Sequence, residues 1–159
     1  VSTLLDVSIK EKYPIVDGPF GSNLKTEHYR NSGIPIITSG YVTEGRFYAE
    51  NYLYVDVEKF EKEKRSTVKG GDIVMAKIGA RCGRSAILPL EHEVSILSGN
   101  ALKISIDKNN STDFYWQLLT YFYDTGIIDK LRTTGAQPAI SISSLKKLKV
   151  PLPSKMNNT

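Results

Sequence analysis

Apolar positions along this chain fall into short runs separated by glycine, proline and small polar residues, and their period changes once, late in the sequence. Residues 73–78 and 85–88 are two β-prone runs flanking Gly79-Ala80-Arg81-Cys82-Gly83, with Gly70-Gly71-Asp72 before them and Pro89 after. That arrangement predicts a hairpin whose loop is longer than the tightest two-residue kind. Residues 33–40 read as a buried strand running into a polar corner, followed by a loop over 41–46. Residues 47–55 read as an aromatic-rich strand that places Tyr48, Tyr52 and Tyr54 on one face. Residues 94–97 and 101–106 are two further strands joined by Ser98-Gly99-Asn100. At the start, residues 2–7 suggest one helical turn handing over to a strand. Residues 57–65 alternate in charge sign, as a short solvated helix does.

The period then becomes helical. Phe114, Leu118 and Phe122 recur at intervals of four, and Tyr115 and Leu119 widen the stripe. Ser111, Thr112 or Asp113 supplies the N-cap, Gly126 breaks the helix, and 127–132 form a second piece. Ser143 or Ser144 can cap a last short helix, with Leu145 and Leu148 facing inward and Lys146, Lys147 and Lys149 outward. Pro151 and Pro153 make an extended exit. Strands in runs followed by helix, without βαβ alternation, predict an α+β, β-rich fold with a few helices, the longest within 110–132.

Composition adds bounds. At 159 residues, 40% hydrophobic and 24% charged, the chain is one globular domain with a real core. It shows no internal repeat, no apolar run long enough for a membrane span and no signal-peptide pattern at its start. The single cysteine, Cys82, excludes an internal disulfide and a multi-cysteine zinc site, which fits a reducing cytoplasm. A net charge of +4 permits a polyanionic partner without requiring one.

Two loops carry candidate chemistry. The 79–83 loop holds Arg81, with Arg84 and Lys77 at its ends, and glycines allow close backbone approach to a ligand. It reads either as a surface that meets phosphate or as an ordinary hairpin with solvated cations. Residues 17–25, Asp-Gly-Pro-Phe-Gly-Ser-Asn-Leu-Lys, form a structured turn whose Ser22, Asn23 and Lys25 donate well to phosphates or base edges. Its glycines match neither the P-loop nor the dinucleotide spacing. The tyrosines of 47–55 read either as base-stacking platforms or as half-buried packing. His28 and His92 lack companions at metal-ligand spacing and read as non-ligands. No Ser/His/Asp set, tuned carboxylate pair or cofactor-binding first turn is present. Asp72, ahead of Lys77, reads as the turn residue that starts a strand rather than a nuclease carboxylate.

Several motifs occur in order: Leu5-Asp6-Val7, the 17–25 loop, Gly33-Ile34-Pro35-Ile36-Ile37, Gly71-Asp72-Ile73-Val74, Gly135-Ala136-Gln137-Pro138-Ala139-Ile140-Ser141, Leu145 and Val150-Pro151-Leu152-Pro153. The set resembles one target recognition domain of the specificity (S) subunit of Type I restriction–modification enzymes, over nearly the whole chain. The resemblance implies a twisted, mostly antiparallel sheet with a few helices, spanning 1–153, and a polar tail at 154–159 where a spacer helix would begin. It implies a cytoplasmic, non-catalytic component that reads one half of a split double-stranded DNA target. Chemistry would lie in methyltransferase (M) and restriction (R) subunits using S-adenosylmethionine, ATP and Mg²⁺, with no cofactor in this chain. A second recognition domain would come in cis or by dimerisation. One recognition domain alone resembles an excised domain or a half-length subunit.

On this reading Lys25, Arg84 and Lys146 would hold phosphates, while Ser39, Tyr41, Lys77, Arg81 and Gln137 would reach base edges. Ser22, Asn23 and Thr134 lie in the same loops. Two other readings stay open: the recognition domain of a single-chain restriction–methylation enzyme, and a β-rich interaction module that binds protein or sugar through its tyrosines.

Overall fold

The structure, a computed structural model, describes residues 2–153. In chain order come β1 (Ser2–Thr3), β2 (Ile15–Asp17), β3 (Ile34–Ile37), β4 (Tyr54–Val55), α1 (Val57–Lys62), β5 (Thr67–Val68), β6 (Ile73–Ala76), β7 (Ser85–Ile87), β8 (Ser95–Leu97), β9 (Ala101–Ile104), α2 (Thr112–Asp124), α3 (Ile142–Lys146) and β10 (Lys149–Val150), with short 3-10 turns between them. The strands form two four-stranded sheets, β2-β9-β6-β7 and β4-β3-β8-β5, and a β1-β10 ribbon. Pairing is antiparallel except between β3 and β8, where Ile36 and Ile37 lie beside Ile96 and Leu97 in parallel. The expected mostly antiparallel α+β fold is therefore present, divided over two sheets.

Successive strand residues point to opposite faces, and this period sorts the core into layers. Ile73 and Met75 of β6, with Leu102 and Ile104 of β9, face Tyr115 and Leu119 of α2. Val74 and Ala76, with Val16, Ala86 and Ala101, face Ile37, Val68 and Leu97 of the second sheet. Ile36 and Ile96 turn to the outer side, against Phe60 of α1 and Leu24. Each fully buried aliphatic side chain in these layers contributes about 1.5–3 kcal/mol relative to exposure.

The hairpin forms as expected, with Ile73, Val74 and Met75 opposite Ile87, Ala86 and Ser85. The strand ends at Ala76 rather than at residue 78, because Lys77 and Ile78 leave β7 to pair with other segments. Asp72 starts it by accepting Lys69 N–H at 2.8 Å. Ser111 caps α2, its hydroxyl accepting from Phe114 N at 3.1 Å. After Gly126 (φ 83°) the chain continues as a 3-10 turn over Ile127–Leu131. Trp116 is partly buried and donates from Nε1 to Ser85 O at 3.1 Å.

Three expectations are corrected. The N-terminus runs strand first, then a 3-10 turn over Leu5–Val7, because Ser2 and Thr3 pair with Val150 and Lys149. The last short helix is capped by Ser141, not Ser143 or Ser144, since Ser141 Oγ receives Ser144 N–H at 3.3 Å. The 47–55 segment is not a strand: only Tyr54–Val55 joins a sheet. Its aromatics build a cluster instead, with Tyr41 edge-on to Phe47 and Tyr52, and Phe47 edge-on to His92. Packing on the inter-sheet layer outweighs strand propensity there. The 154–159 tail lies outside the described residues.

Candidate nucleic-acid interface

β2, β3 and β8 end, and β7 and β9 begin, at one end of the sandwich, as does the turn leaving β6. The connections made there are the segments that carry most of the sequence-predicted residues. They are tied to one another by backbone. Lys77 N donates to Asn100 O at 2.9 Å, and Ser39 N donates to Asn100 Oδ1 at 3.1 Å. Ser98 Oγ also donates to Asn100 Oδ1. Gly79 N meets Pro138 O at 2.9 Å and Ile140 N meets Lys77 O at 2.8 Å, which brings the 133–139 loop against the hairpin loop. Gly18 N meets Ala101 O at 3.1 Å. Gly18 has to be glycine, because a Cβ would collide with the Ser98 carbonyl.

Five polar segments thus converge: 18–25, 38–46, 77–84, 98–100 and 133–139. Ser22, Asn23 and Lys25 are exposed on the first, as are Thr134 and Gln137 on the last. The 3-10 turn Thr26–His28 positions Lys25, with His28 Nδ1 accepting Lys25 N–H at 2.8 Å. Tyr41 is less available than its residue type suggests. Its hydroxyl donates to Asn51 O at 2.7 Å, and burial, with Tyr54 nearby, pushes its pKa up. Lys146 is not brought into this group; it sits on α3, which packs on β2.

The three cations of the hairpin each face a carboxylate. Lys77 Nζ lies 3.1 Å from Asp17, Arg81 3.1 Å from Glu44 and Arg84 3.6 Å from Asp124. Arg84 is the most anchored, since Nε also donates to Thr43 O at 3.3 Å and its guanidinium lies 5.0 Å from the Tyr123 ring centre. It holds the 38–46 loop to α2. The positive charge is therefore balanced locally, and a phosphate would compete with these carboxylates for the same donors.

Asn100, Asp17 and Phe20 were not singled out by residue type. Asn100 organises three segments, a role visible only once the backbone is placed. Asp17 holds both Lys77 and Arg65. Phe20 is 73% exposed between Pro19 and Gly21, and an apolar residue amid turn formers was the signal available for it. His92 packs with the tyrosines, its Nε2 2.7 Å from Tyr52 Oη. Among the described residues no group of three or more His, Cys, Asp or Glu is placed to hold a metal ion. No helix among them is long and apolar enough to cross a membrane.

The family model of the Type I restriction modification DNA specificity domain matches residues 12–158, and the chain belongs to that family. Among solved structures, it superposes on one described as showing complex assembly and conformational transition of the Type I R-M system, with TM-score 0.70 and 12% identity over 98% of this chain and 34% of the other. The HsdS subunit from Thermoanaerobacter tengcongensis gives TM-score 0.64 at 13% identity, over 98% of this chain and 33% of that one. The S subunit of a Type I restriction–modification system from M. genitalium gives TM-score 0.57 at 13% identity, over 92% of this chain and 32% of that one. The chain thus spans about a third of each of these proteins. No curated protein matches it in sequence.

Proposed function

We propose that this chain reads one half of a split duplex DNA target for a Type I restriction–modification enzyme, through the loop end of its two sheets. The observation that carries the reading is the convergence of the five polar segments in a chain that belongs to a DNA specificity family. Lys25 and Arg84 would hold phosphates, which set register without reading sequence. Lys77, Arg81, Ser39, Tyr41 and Gln137 would face base edges, with Ser22, Asn23 and Thr134 beside them. Lys146 would touch backbone phosphate only if the duplex extends along α3.

The whole assembly would pair this domain with a second recognition domain, in cis or by dimerisation, and with methyltransferase and restriction subunits. Those subunits would carry out the S-adenosylmethionine-, ATP- and Mg²⁺-dependent chemistry in the cytoplasm. This chain would act by specificity alone. Selection from a random duplex library tests the reading. A short enriched motif, bound with an affinity that falls steeply with salt, is the expected result. Failure to enrich any duplex motif, or salt-insensitive binding, would overturn it.

A further inference from the structure

Among the described residues, Lys103 is the only charged side chain in the core, 6% exposed. It lies on β9 opposite Val16 and Val74, on the face that looks between the two sheets, where the pattern of its neighbours calls for an aliphatic residue. Its Nζ donates to Ser105 Oγ at 2.6 Å, and that hydroxyl donates onward to Asp72 Oδ1 at 2.7 Å. Among the described residues no carboxylate lies within ion-pair distance of Nζ. An ammonium has three donors, so this one is buried with a single neutral acceptor. Such a charge is costly unless something compensates it. Burial pushes its pKa down, Asp72 pulls it back up, Lys69 lowers it further and Glu11 raises it.

A cavity of about 400 Å³ is lined by Lys103 and Ser105, together with Thr67 of β5 and Lys69 just after that strand. Lys12, Lys64 and Arg65 add three more cations to its wall, against the carboxylates Glu11 and Asp72. Lys64 and Arg65 already face Glu61 and Asp17, at 3.4 Å each. Lys12, Lys69 and Lys103 form no ion pair among the described residues. Tyr13, also on the wall, is the only non-glycine described residue with positive φ, at 62°. Backbone held in that region costs free energy and persists where the surroundings require it. β9 runs away from the loop end and β2 runs toward it, so Lys103, Ser105 and Tyr13 sit toward the opposite end from the 77–84 hairpin loop.

We infer that this cavity binds a phosphate-sized oxyanion, held by Lys103 together with Lys69 and Lys12, at a site separate from the DNA-reading loops. The bound oxygens would take the two ammonium donors that Ser105 leaves unused. The cavity exceeds a bare phosphate, which leaves room along Tyr13 for the group that carries it.

Inorganic phosphate is the probe, and the side-chain Cε–Hε resonances of Lys103 in the intact chain are the readout. Titration at constant ionic strength, balanced with chloride, should move those resonances saturably. Binding should weaken roughly tenfold or more in Lys69→Ala, the loss expected for one charge-assisted hydrogen bond. Lys69 is surface-exposed, so this variant is not expected to disturb folding. In Lys103→Met, phosphate should no longer stabilise the domain against urea, whereas the parent's unfolding midpoint rises and saturates. With a duplex already bound, phosphate should still move Lys103. No saturable shift, an equal shift with chloride, an undiminished affinity in Lys69→Ala, or displacement of phosphate by duplex would each overturn the inference.

Discussion

Lys77 Nζ lies 3.1 Å from Asp17 Oδ2, with only about a fifth of either side chain exposed; Asp17 ends β2 and Lys77 directly follows β6, strands that are not neighbours. β9 lies between β2 and β6, so the pair spans the mouth of the sheet over Ala101. Asp17 also faces Arg65 at 3.4 Å, and one carboxylate restrains two cations. Asp17→Asn should release Lys77 toward a phosphate. The log–log salt slope of duplex binding should steepen by about 0.9 for one added phosphate contact, with non-specific affinity raised. Lys77→Ala should move the opposite way, or selectively weaken the specific site if Lys77 reads a base. An Asp17→Asn protein that binds more weakly than the parent at every salt concentration would show that the carboxylate itself faces DNA.

Arg81 and Arg84 look alike in the sequence and differ in place. Arg81 and Glu44 are both mostly exposed, so the pair contributes at most about 1 kcal/mol. Arg84 bridges Thr43, Asp124 and Tyr123. Arg81→Ala should therefore leave the urea midpoint unchanged and alter DNA binding. Arg84→Ala should cost about 1–2 kcal/mol of stability from its hydrogen bond and cation–π contact. Equal stability of the two variants would remove the anchoring role from Arg84.

Gly18→Ala tests the convergence itself. The new methyl group would meet backbone at Ser98, which has no rotamer to move. The 18–25 and 98–100 segments should separate, with faster amide exchange at Lys77 and Ser39, whose N–H groups depend on Asn100. Gly21→Ala, with open space around it, should change neither. Matching exchange in the two variants would count against a jointly held loop end.

The hairpin and α2 were legible because pattern and punctuation agree there: an unbroken β-prone apolar run covers Ile73 to Ala76 directly after Gly70-Gly71-Asp72, and Ser111 stands where the helical period begins. The 47–55 segment misled because tyrosines at even spacing suit a strand and also suit an aromatic cluster. The choice was made by His92 and Phe47, which sequence does not place beside Tyr52. The loop cations were visible as residue types, but their partners Asp17, Glu44 and Asp124 lie 60, 37 and 40 positions away, and such distances carry no local signal. Lys103 hid for a related reason. In Ala-Leu-Lys-Ile-Ser-Ile it reads as the polar half of a half-buried strand, and only the second sheet covering that face buries it.

Lys103 also sets a pH dependence whose sign can be worked out. Burial lowers its folded-state pKa below the unfolded value of about 10.4. Between the two values the unfolded chain holds more protons than the folded one, so stability rises with pH across that interval. Below the folded value both states are protonated, and the cost of the buried charge is constant. Cys82, Tyr41, Tyr52 and Tyr115 act oppositely: burial raises their pKa values, so the unfolded state loses protons first and stability falls as pH climbs. These four groups are common to the parent and to Lys103→Met, so the difference between the proteins isolates Lys103. In phosphate-free buffer, urea unfolding from pH 7 to about 10 should show the parent gaining on Lys103→Met as pH rises. The slope should not exceed about 1.4 kcal/mol per pH unit, the limit for one proton. At neutral pH the methionine variant should be the more stable, because it removes a buried charge and keeps the volume. A difference that stays flat with pH would mean that Lys103 is solvated as an ordinary surface lysine.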